Sequence, residues 1–217
     1  VPALDMGFGG DYGVYHSAYD SFYWMSKFGD PTFAYHVAAA QVWGTITLRL
    51  ANAPALPFDY TDYATQLRDF VTETTRTATR RRLADSFDAK ALNDAVKDFS
   101  EEAARINRRK QETVADYEAT RTIVSERSQR VLERLIRIND ALINAERALT
   151  DARGLRGRPW YKHQIYAPGY YTGYAAQPLP DLRQAIEDRN GANAREAATR
   201  ITEAIRRATE ALSKARD

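Results

Sequence analysis

Cysteine is absent from this 217-residue sequence, so it has no disulfide, no thiol nucleophile and no cysteine-ligated zinc or iron–sulfur centre. No apolar run approaches the ~18 residues of a membrane-spanning helix, and the sequence therefore predicts no membrane segment. The formal net charge of +2 is too small to indicate nucleic-acid binding by itself. What is present, 44% hydrophobic and 28% charged residues, is the composition of a folded chain of one or two domains with a substantial core.

The beginning of the sequence has no secretion signal, because no basic stretch precedes an apolar one. The chain starts with Val1 rather than methionine, and its first residues have the pattern of a buried strand that runs into a turn at Gly7, Gly9 and Gly10. A single strand leaves its backbone groups and both of its faces without partners. We therefore expect this chain to be the C-terminal part of a longer polypeptide, or a piece cut from one.

Aromatic residues divide the chain into two candidate domains. Residues 1–60 hold more than half of all the aromatic residues and few charged ones, whereas dense Arg, Glu, Asp and Ala follow. Prolines and aromatic residues return together at 159–180, between two helical stretches. These shifts predict a first domain over 1–55 and a second over 56–217, with 159–180 as an ordered aromatic loop inside the second.

In the first domain, Asp30 and Pro31 are the residue types of a helix N-cap and a first helical position. The stretch from Thr32 to Ala51 has mostly apolar side chains that we expect to be buried, and it stops before Pro54. Although part of it alternates like a strand, the pattern favours a helix.

The second domain has the spacing of amphipathic helices. From Val124 to Leu149, apolar residues recur three and four residues apart, which is the seam of a helix packed nearly parallel or antiparallel to its neighbours. Four such helices with one long insertion predict a helical bundle, and apolar faces beyond what one core needs predict pairing of two copies about a two-fold axis. The predicted helices cover 61–82, a segment that begins at Asp88, about 115–150 with Gly154 and Gly157 ending it, and about 192–215.

Two arginine-rich stretches, Arg80–Arg82 and 105–110, lie on predicted helices. Acidic residues accompany both stretches, as is typical of a solvated helical face. No aromatic residues alternate with the basic ones to form a stacking platform. The sequence therefore favours no nucleic-acid partner.

The chain has three histidines, His16, His36 and His163, and contains no HExxH, GxSxG, P-loop or EF-hand motif. His16 follows the glycine-rich turn after the predicted strand, and the ends of strands in open α/β sheets are where active-site residues lie. It is thus a lone candidate metal ligand, with ordinary packing as the alternative. For His36, on an apolar helix, a satisfied core or surface histidine is the favoured interpretation. For His163, in the aromatic loop, packing is favoured.

Two regions of the sequence carry a resemblance to a known family. The first, within 14–59, contains VYHSAYDS at 14–21, FGDPTFAYH at 28–36, AQVWG at 40–44, LAN at 50–52 and LPFD at 56–59. The second contains GRPWYKHQIYAPG at 157–169 and TGY at 172–174. In this order and spacing, and over nearly its whole length, the chain resembles the C-terminal region of the glutamate carboxypeptidase II family, the branch of the M28 zinc peptidases that includes the transferrin receptor.

The resemblance implies a mainly α chain: a helical dimerisation bundle preceded by the C-terminal strand-loop-helix remnant of an α/β zinc peptidase domain. His16 matches the last ligand of a two-zinc site, and Tyr15 matches a tyrosine that faces the reaction centre, where it could stabilise an oxyanion. Tyr174 matches a tyrosine of the helical domain that reaches into the substrate pocket. The implied partners are a second copy of the chain and a peptide substrate. Plain packing is the alternative for Tyr15 and Tyr174.

One position departs from the family pattern, since Gly173 stands where carboxypeptidases that bind a substrate carboxylate have a lysine. The absence of that ammonium argues against selectivity for C-terminal glutamate and favours an aminopeptidase-like or broader dipeptidase-like specificity. The other zinc ligands and the general base of the family are not in this chain, so we expect it to be inactive alone.

Two functions remain open at this stage. The chain is either part of a zinc exopeptidase or a non-catalytic interaction module, as in transferrin-receptor relatives without a metal site. By analogy with the family, the parent is expected to be secreted, periplasmic or exposed outside the cell. The alanine- and arginine-rich, lysine-poor composition suggests a bacterial source.

Overall fold

The computed structural model describes residues 6–10, 12–171 and 173–215 of the chain. By its internal contacts the chain divides into two compact units, one ending at Ala53 and one running from Pro54 onward. The strand predicted for the first residues falls largely on 1–5, outside the described residues.

The N-terminal unit contains two helical segments. Helix α1 (Phe22–Trp24) continues into a π-helical turn at Met25–Gly29, and α2 spans Ala34–Ala51. The prediction that Asp30 is the N-cap of α2 is wrong, because α2 begins three residues later, after Phe33 in a left-handed conformation.

Burial of the apolar side chains of α2 was also predicted, and within the described structure none of its residues is buried. Its apolar residues, such as Val37, Trp43 and Leu48, are spread around the helix rather than gathered into one stripe, and more than a third of each is exposed. A helix that is apolar all round needs cover on several sides. The described residues of the N-terminal unit do not supply that cover.

The C-terminal unit is the predicted mainly α bundle. Its last helix, α7 (Gly191–Ser213), packs against α4 (Ala89–Thr120) and α5 (Glu126–Ala148). Helix α3 (Tyr60–Arg80) packs against α4, and the short helix α6 (Pro180–Glu187) lies against α7. Each long helix begins at a side chain that accepts a hydrogen bond from an N–H of the first turn, which satisfies one of the groups that a helix leaves unpaired there. The four caps are Asp59, Asp88, Ser125 and Asn190.

The helix predicted over about 115–150 is in fact the end of α4 and the whole of α5. Ser125 and Ser128 form a capping box in which each side chain bonds the backbone N–H of the other, so a new helix starts there. Helix α5 then ends at Ala148, before the predicted glycines. Helix α6 was not predicted, because its sequence begins in the proline-rich stretch and Pro180 occupies its first position.

The core of the bundle lies where α3, α4, α5 and α7 meet. Phe99 of α4 is fully buried, and its ring contacts those of Tyr60 and Tyr63 edge to face. The small side chains of α7 let that helix approach both α4 and α5 closely. They include Ala194, Ala197, Ala204, Ala208 and Ala211.

Between α5 and α6 the chain forms a loop that contains one short hairpin. Strands β1 (Tyr166–Pro168) and β2 (Ala176–Pro178) pair antiparallel, with Ala167 opposite Gln177. None of the helices in the described part of the chain has the length and apolar character needed to cross a bilayer.

Candidate functional site

His16 lies in a tight turn of the N-terminal unit, where Ser17 N–H donates to the Val14 carbonyl over 2.9 Å. Its backbone is left-handed, with a φ of +63°, which is uncommon for a residue with a side chain. The His16 ring stacks on the ring of Tyr15, with 3.8 Å between centroids and 21° between planes. Both side chains are exposed, Tyr15 to 62%, so each is free to contact a ligand.

The described residues do not assemble a metal site around His16. No group of three or more His, Cys, Asp or Glu side chains that could hold a metal ion occurs among them. A catalytic zinc takes about three protein ligands. An exposed imidazole fits zinc as one ligand, but the described part of this chain cannot hold the ion by itself.

His36 has a partner within the N-terminal unit, although 53% of its side chain is exposed. Its backbone N–H and its ring Nδ1 both meet Oδ2 of the buried Asp30, at 3.0 and 2.7 Å. Burial alone would raise the pKa of Asp30, but the hydrogen bonds and charge of His36 outweigh it and lower the pKa below its ordinary value. Asp30 and His36 thus form a hydrogen-bonded pair that connects the residues before α2 to its first turn.

A cavity of about 670 Å³ lies beside this pair, and nothing in the sequence pattern indicated it. Its lining is mostly apolar and includes Tyr12, Trp24 and Trp43.

His163 is also structural. Its Nδ1 accepts hydrogen bonds from the backbone N–H groups of Ile165 and Tyr166, at 3.2 and 3.1 Å, so Nε2 carries the proton that it donates to Glu146. With both ring nitrogens engaged, His163 ties the aromatic loop to α5.

Tyr174 lies in a loop beyond β1 that we call the tyrosine loop, residues 169–174 apart from the undescribed 172. The loop is closed by two hydrogen bonds, from Gly169 N–H to the Ala175 carbonyl and from Gly173 N–H to the Gly169 carbonyl. Gly173 has a φ of +61°, the left-handed region that glycine tolerates. Tyr174 is 91% exposed, and its neighbour Tyr171 is also well exposed. The loop therefore presents aromatic rings to its surroundings.

Two buried arginines, Arg200 and Arg158, were missed by the sequence reasoning. The first, Arg200 of α7, contacts Asp151 at 3.3 Å and Asp181 at 3.8 Å, and donates a further hydrogen bond to the Gly154 carbonyl. It lies on the same face of α7 as Ala197 and Ala204, a position that a solvated cation would not occupy. The second, Arg158, lies in the segment between α5 and β1.

The two carboxylates that contact Arg200 respond differently to their surroundings. The side-chain hydrogen bonds from Arg153, with the nearby charge of Arg200, outweigh burial and hold the pKa of Asp151 well below its usual range. Burial outweighs the neighbouring arginines at Asp181 and raises its pKa. The buried cation Arg200 of α7 thus connects its own helix to α6, through Asp181, and to the segment that follows α5, through Asp151 and Gly154.

Comparison with known proteins places this architecture in a family. Residues 87–213 match the transferrin receptor-like dimerisation domain. The chain belongs to that family.

Its relatives include peptidases. The chain is 38% identical to "Probable glutamate carboxypeptidase LAMP1" of Arabidopsis thaliana over 98% of this chain and 28% of the relative. It is 27% identical to "Aminopeptidase NAALADL1" of Rattus norvegicus over 72% of this chain and 20% of the relative. It is 26% identical to "Inactive zinc metalloprotease C354.09c" of Schizosaccharomyces pombe over 78% of this chain and 20% of the relative. The chain thus spans less than a third of the length of these relatives and corresponds to their C-terminal part.

Proposed function

We propose that this chain is the C-terminal portion of a zinc-dependent exopeptidase and is inactive by itself. The observation that carries the proposal is its similarity over 98% of its length to a glutamate carboxypeptidase-named relative. Zinc, when bound in the full polypeptide, supplies an activated water for attack on a peptide carbonyl. His16 would give one imidazole nitrogen to the metal, and its exposed ring is available for that purpose.

The two tyrosines take different roles in this proposal. The hydroxyl of Tyr15, stacked beside His16, would donate a hydrogen bond to the oxyanion that forms on the peptide carbonyl. The exposed ring of Tyr174 would contact the substrate from the tyrosine loop. By the resemblance to its family, the parent polypeptide acts outside the cytoplasm.

A second candidate function is a non-catalytic dimerisation and interaction module. It is favoured by one observation, the similarity to a relative whose name calls it inactive. Under this alternative the bundle serves association alone, and His16 binds no metal.

Under both functions the bundle forms a homodimer, and we expect this chain to sediment as a dimer at tens of micromolar, on the order of ordinary dimer affinities. The physical reason is that Leu132 and Ile136, one turn apart on α5, are exposed although α5 already buries a separate apolar stripe in the core. Sedimentation velocity measures the mass directly. A monomer over the whole concentration range would contradict the proposed dimer.

We propose that substrate selectivity depends on position 173, where this chain has glycine instead of the lysine of the related carboxypeptidases. A Gly173→Lys variant of the full polypeptide is expected to raise kcat/KM for peptides with C-terminal glutamate about tenfold over peptides with C-terminal alanine, because an ammonium pairs with the side-chain carboxylate that only the glutamate carries. The space around the glycine is open, so a side chain fits, although the left-handed backbone strains any residue but glycine.

The matched control is Gly173→Gln, which carries the same backbone strain and a similar length without the charge. Steady-state kinetics with the two peptides compare the variants. An equal change in Gly173→Lys and Gly173→Gln would show that charge at this position does not govern selectivity.

A further inference from the structure

Arg158 lies directly beneath the tyrosine loop, and only 8% of it is exposed. Its backbone is fixed in a turn, since its N–H donates to the Leu155 carbonyl and its carbonyl accepts from Tyr161 N–H, both over 3.0 Å. Its Nη1 donates to the carbonyl of Pro168, the last residue of β1, over 2.5 Å. The guanidinium therefore reaches the backbone at the point where the tyrosine loop begins.

Two aromatic rings enclose the Arg158 guanidinium. Its central carbon lies 5.3 Å from the ring centroid of Tyr170 and 5.5 Å from that of Tyr161. A cation at this distance from a ring face is attracted to it, and the attraction strengthens when water is excluded. Tyr170 belongs to the tyrosine loop, and Tyr161 lies in the segment before β1. The arginine therefore connects that segment to the loop.

The burial of this arginine is incompletely compensated. In the described part of the chain Arg158 forms no ion pair within 4.0 Å, and its buried Nε has no hydrogen-bond partner. Burying a charged group without full pairing is costly, and an apolar side chain would fill the same space at lower cost. What an apolar side chain would not supply is the bond to Pro168 and the attraction to both rings.

We propose that Arg158 is a positioning residue that sets the conformation of the tyrosine loop and thereby places Tyr174 in the substrate pocket. The inference rests on the proposed function, because it gives Tyr174 its role there. Arg158 acts through Pro168 and Tyr170 and touches no reacting atom. Its removal affects how well the substrate binds and leaves the chemistry at the metal unchanged.

The experiment measures kcat and KM of the full polypeptide with a dipeptide substrate for Arg158→Met and Arg158→Lys. We expect Arg158→Met to raise KM about tenfold with kcat changed less than about twofold, the pattern of lost binding alone. Arg158→Lys keeps the positive charge but loses the planar guanidinium, which lies between the two rings and also reaches Pro168. The KM of Arg158→Lys should therefore lie between those of the wild type and Arg158→Met. The matched control is Arg156→Met, an exposed arginine of the same segment that pairs with Glu196, and it should leave KM unchanged.

A second pair of variants keeps the test valid if Arg158→Met fails to fold. Tyr170→Phe retains the ring and should behave like the wild type, whereas Tyr170→Leu should raise KM as Arg158→Met does. The double variant Arg158→Met with Tyr170→Leu should be no worse than Arg158→Met alone, since loss of the arginine already removes its attraction to Tyr170.

Three results would overturn the inference. The first is an unchanged KM in Arg158→Met and in Tyr170→Leu together with a raised KM in Tyr174→Ala. Tyr174 would then bind the substrate, as the proposed function says, but Arg158 would not position it. Another is a loss of kcat and thermal stability at constant KM, which is the signature of a merely structural arginine. The third is an unchanged KM in Tyr174→Ala as well, which removes the proposed pocket together with the inference.

Discussion

Replacement of His16 by alanine in the full polypeptide is expected to abolish peptide hydrolysis, with kcat/KM falling at least about a hundredfold. The physical reason is that we propose the exposed imidazole of His16 as a zinc ligand, and a metal centre that loses a ligand no longer holds its ions in place. Zinc content, measured by mass spectrometry of the purified protein, should fall in the same variant.

The matched control for this prediction is Tyr19→Ala, a well-exposed aromatic residue three positions after His16. It should retain activity and zinc, which separates loss of the ligand from disturbance of the turn. Full activity in His16→Ala would remove His16 from the metal site.

Replacement of Arg200 by methionine is expected to destabilise the bundle by about 1–3 kcal/mol, because Asp151 and Asp181 lose the buried cation they share while Asp151 keeps Arg153. The loss also frees the Gly154 carbonyl, so the loop that begins there loses its attachment to α7. Denaturant unfolding followed by circular dichroism measures the free energy of unfolding.

Arg206→Met on the same helix is the control, since Arg206 is exposed and should change stability by less than about 0.5 kcal/mol. Equal stability of Arg200→Met and the wild type would show that the buried ion cluster does not hold the loop to the bundle.

The helices of the bundle could be predicted because their burial follows the three-and-four spacing of the sequence. The spacing does not show where one helix ends and the next begins on the same side of the bundle. The break between α4 and α5 depends on Ser125 and Ser128 bonding each other's backbone, a local competition that leaves the apolar pattern uninterrupted. The burial predicted for α2 was wrong because apolar character shows that a helix needs cover and does not say which part of a polypeptide supplies it.

The candidate site could be predicted only in part. His16 stood out because few histidines exist and this one follows a glycine-rich turn, and its exposed position leaves that prediction open to test. The buried arginines could not be found in this way, since an arginine in a polar stretch has the same pattern whether it is solvated or enclosed. Arg158 and Arg200 are buried because groups distant in the sequence, such as Pro168 and Asp151, converge on them in the fold.

The zinc content of the full polypeptide tests the central proposal most directly. If the chain is part of a zinc exopeptidase, the purified protein should contain two zinc ions per polypeptide, and a chelator should remove both the metal and the hydrolysis of dipeptides, with zinc restoring them. A folded, dimeric full polypeptide that binds no zinc and hydrolyses no peptide would contradict the peptidase and leave the interaction module as its function.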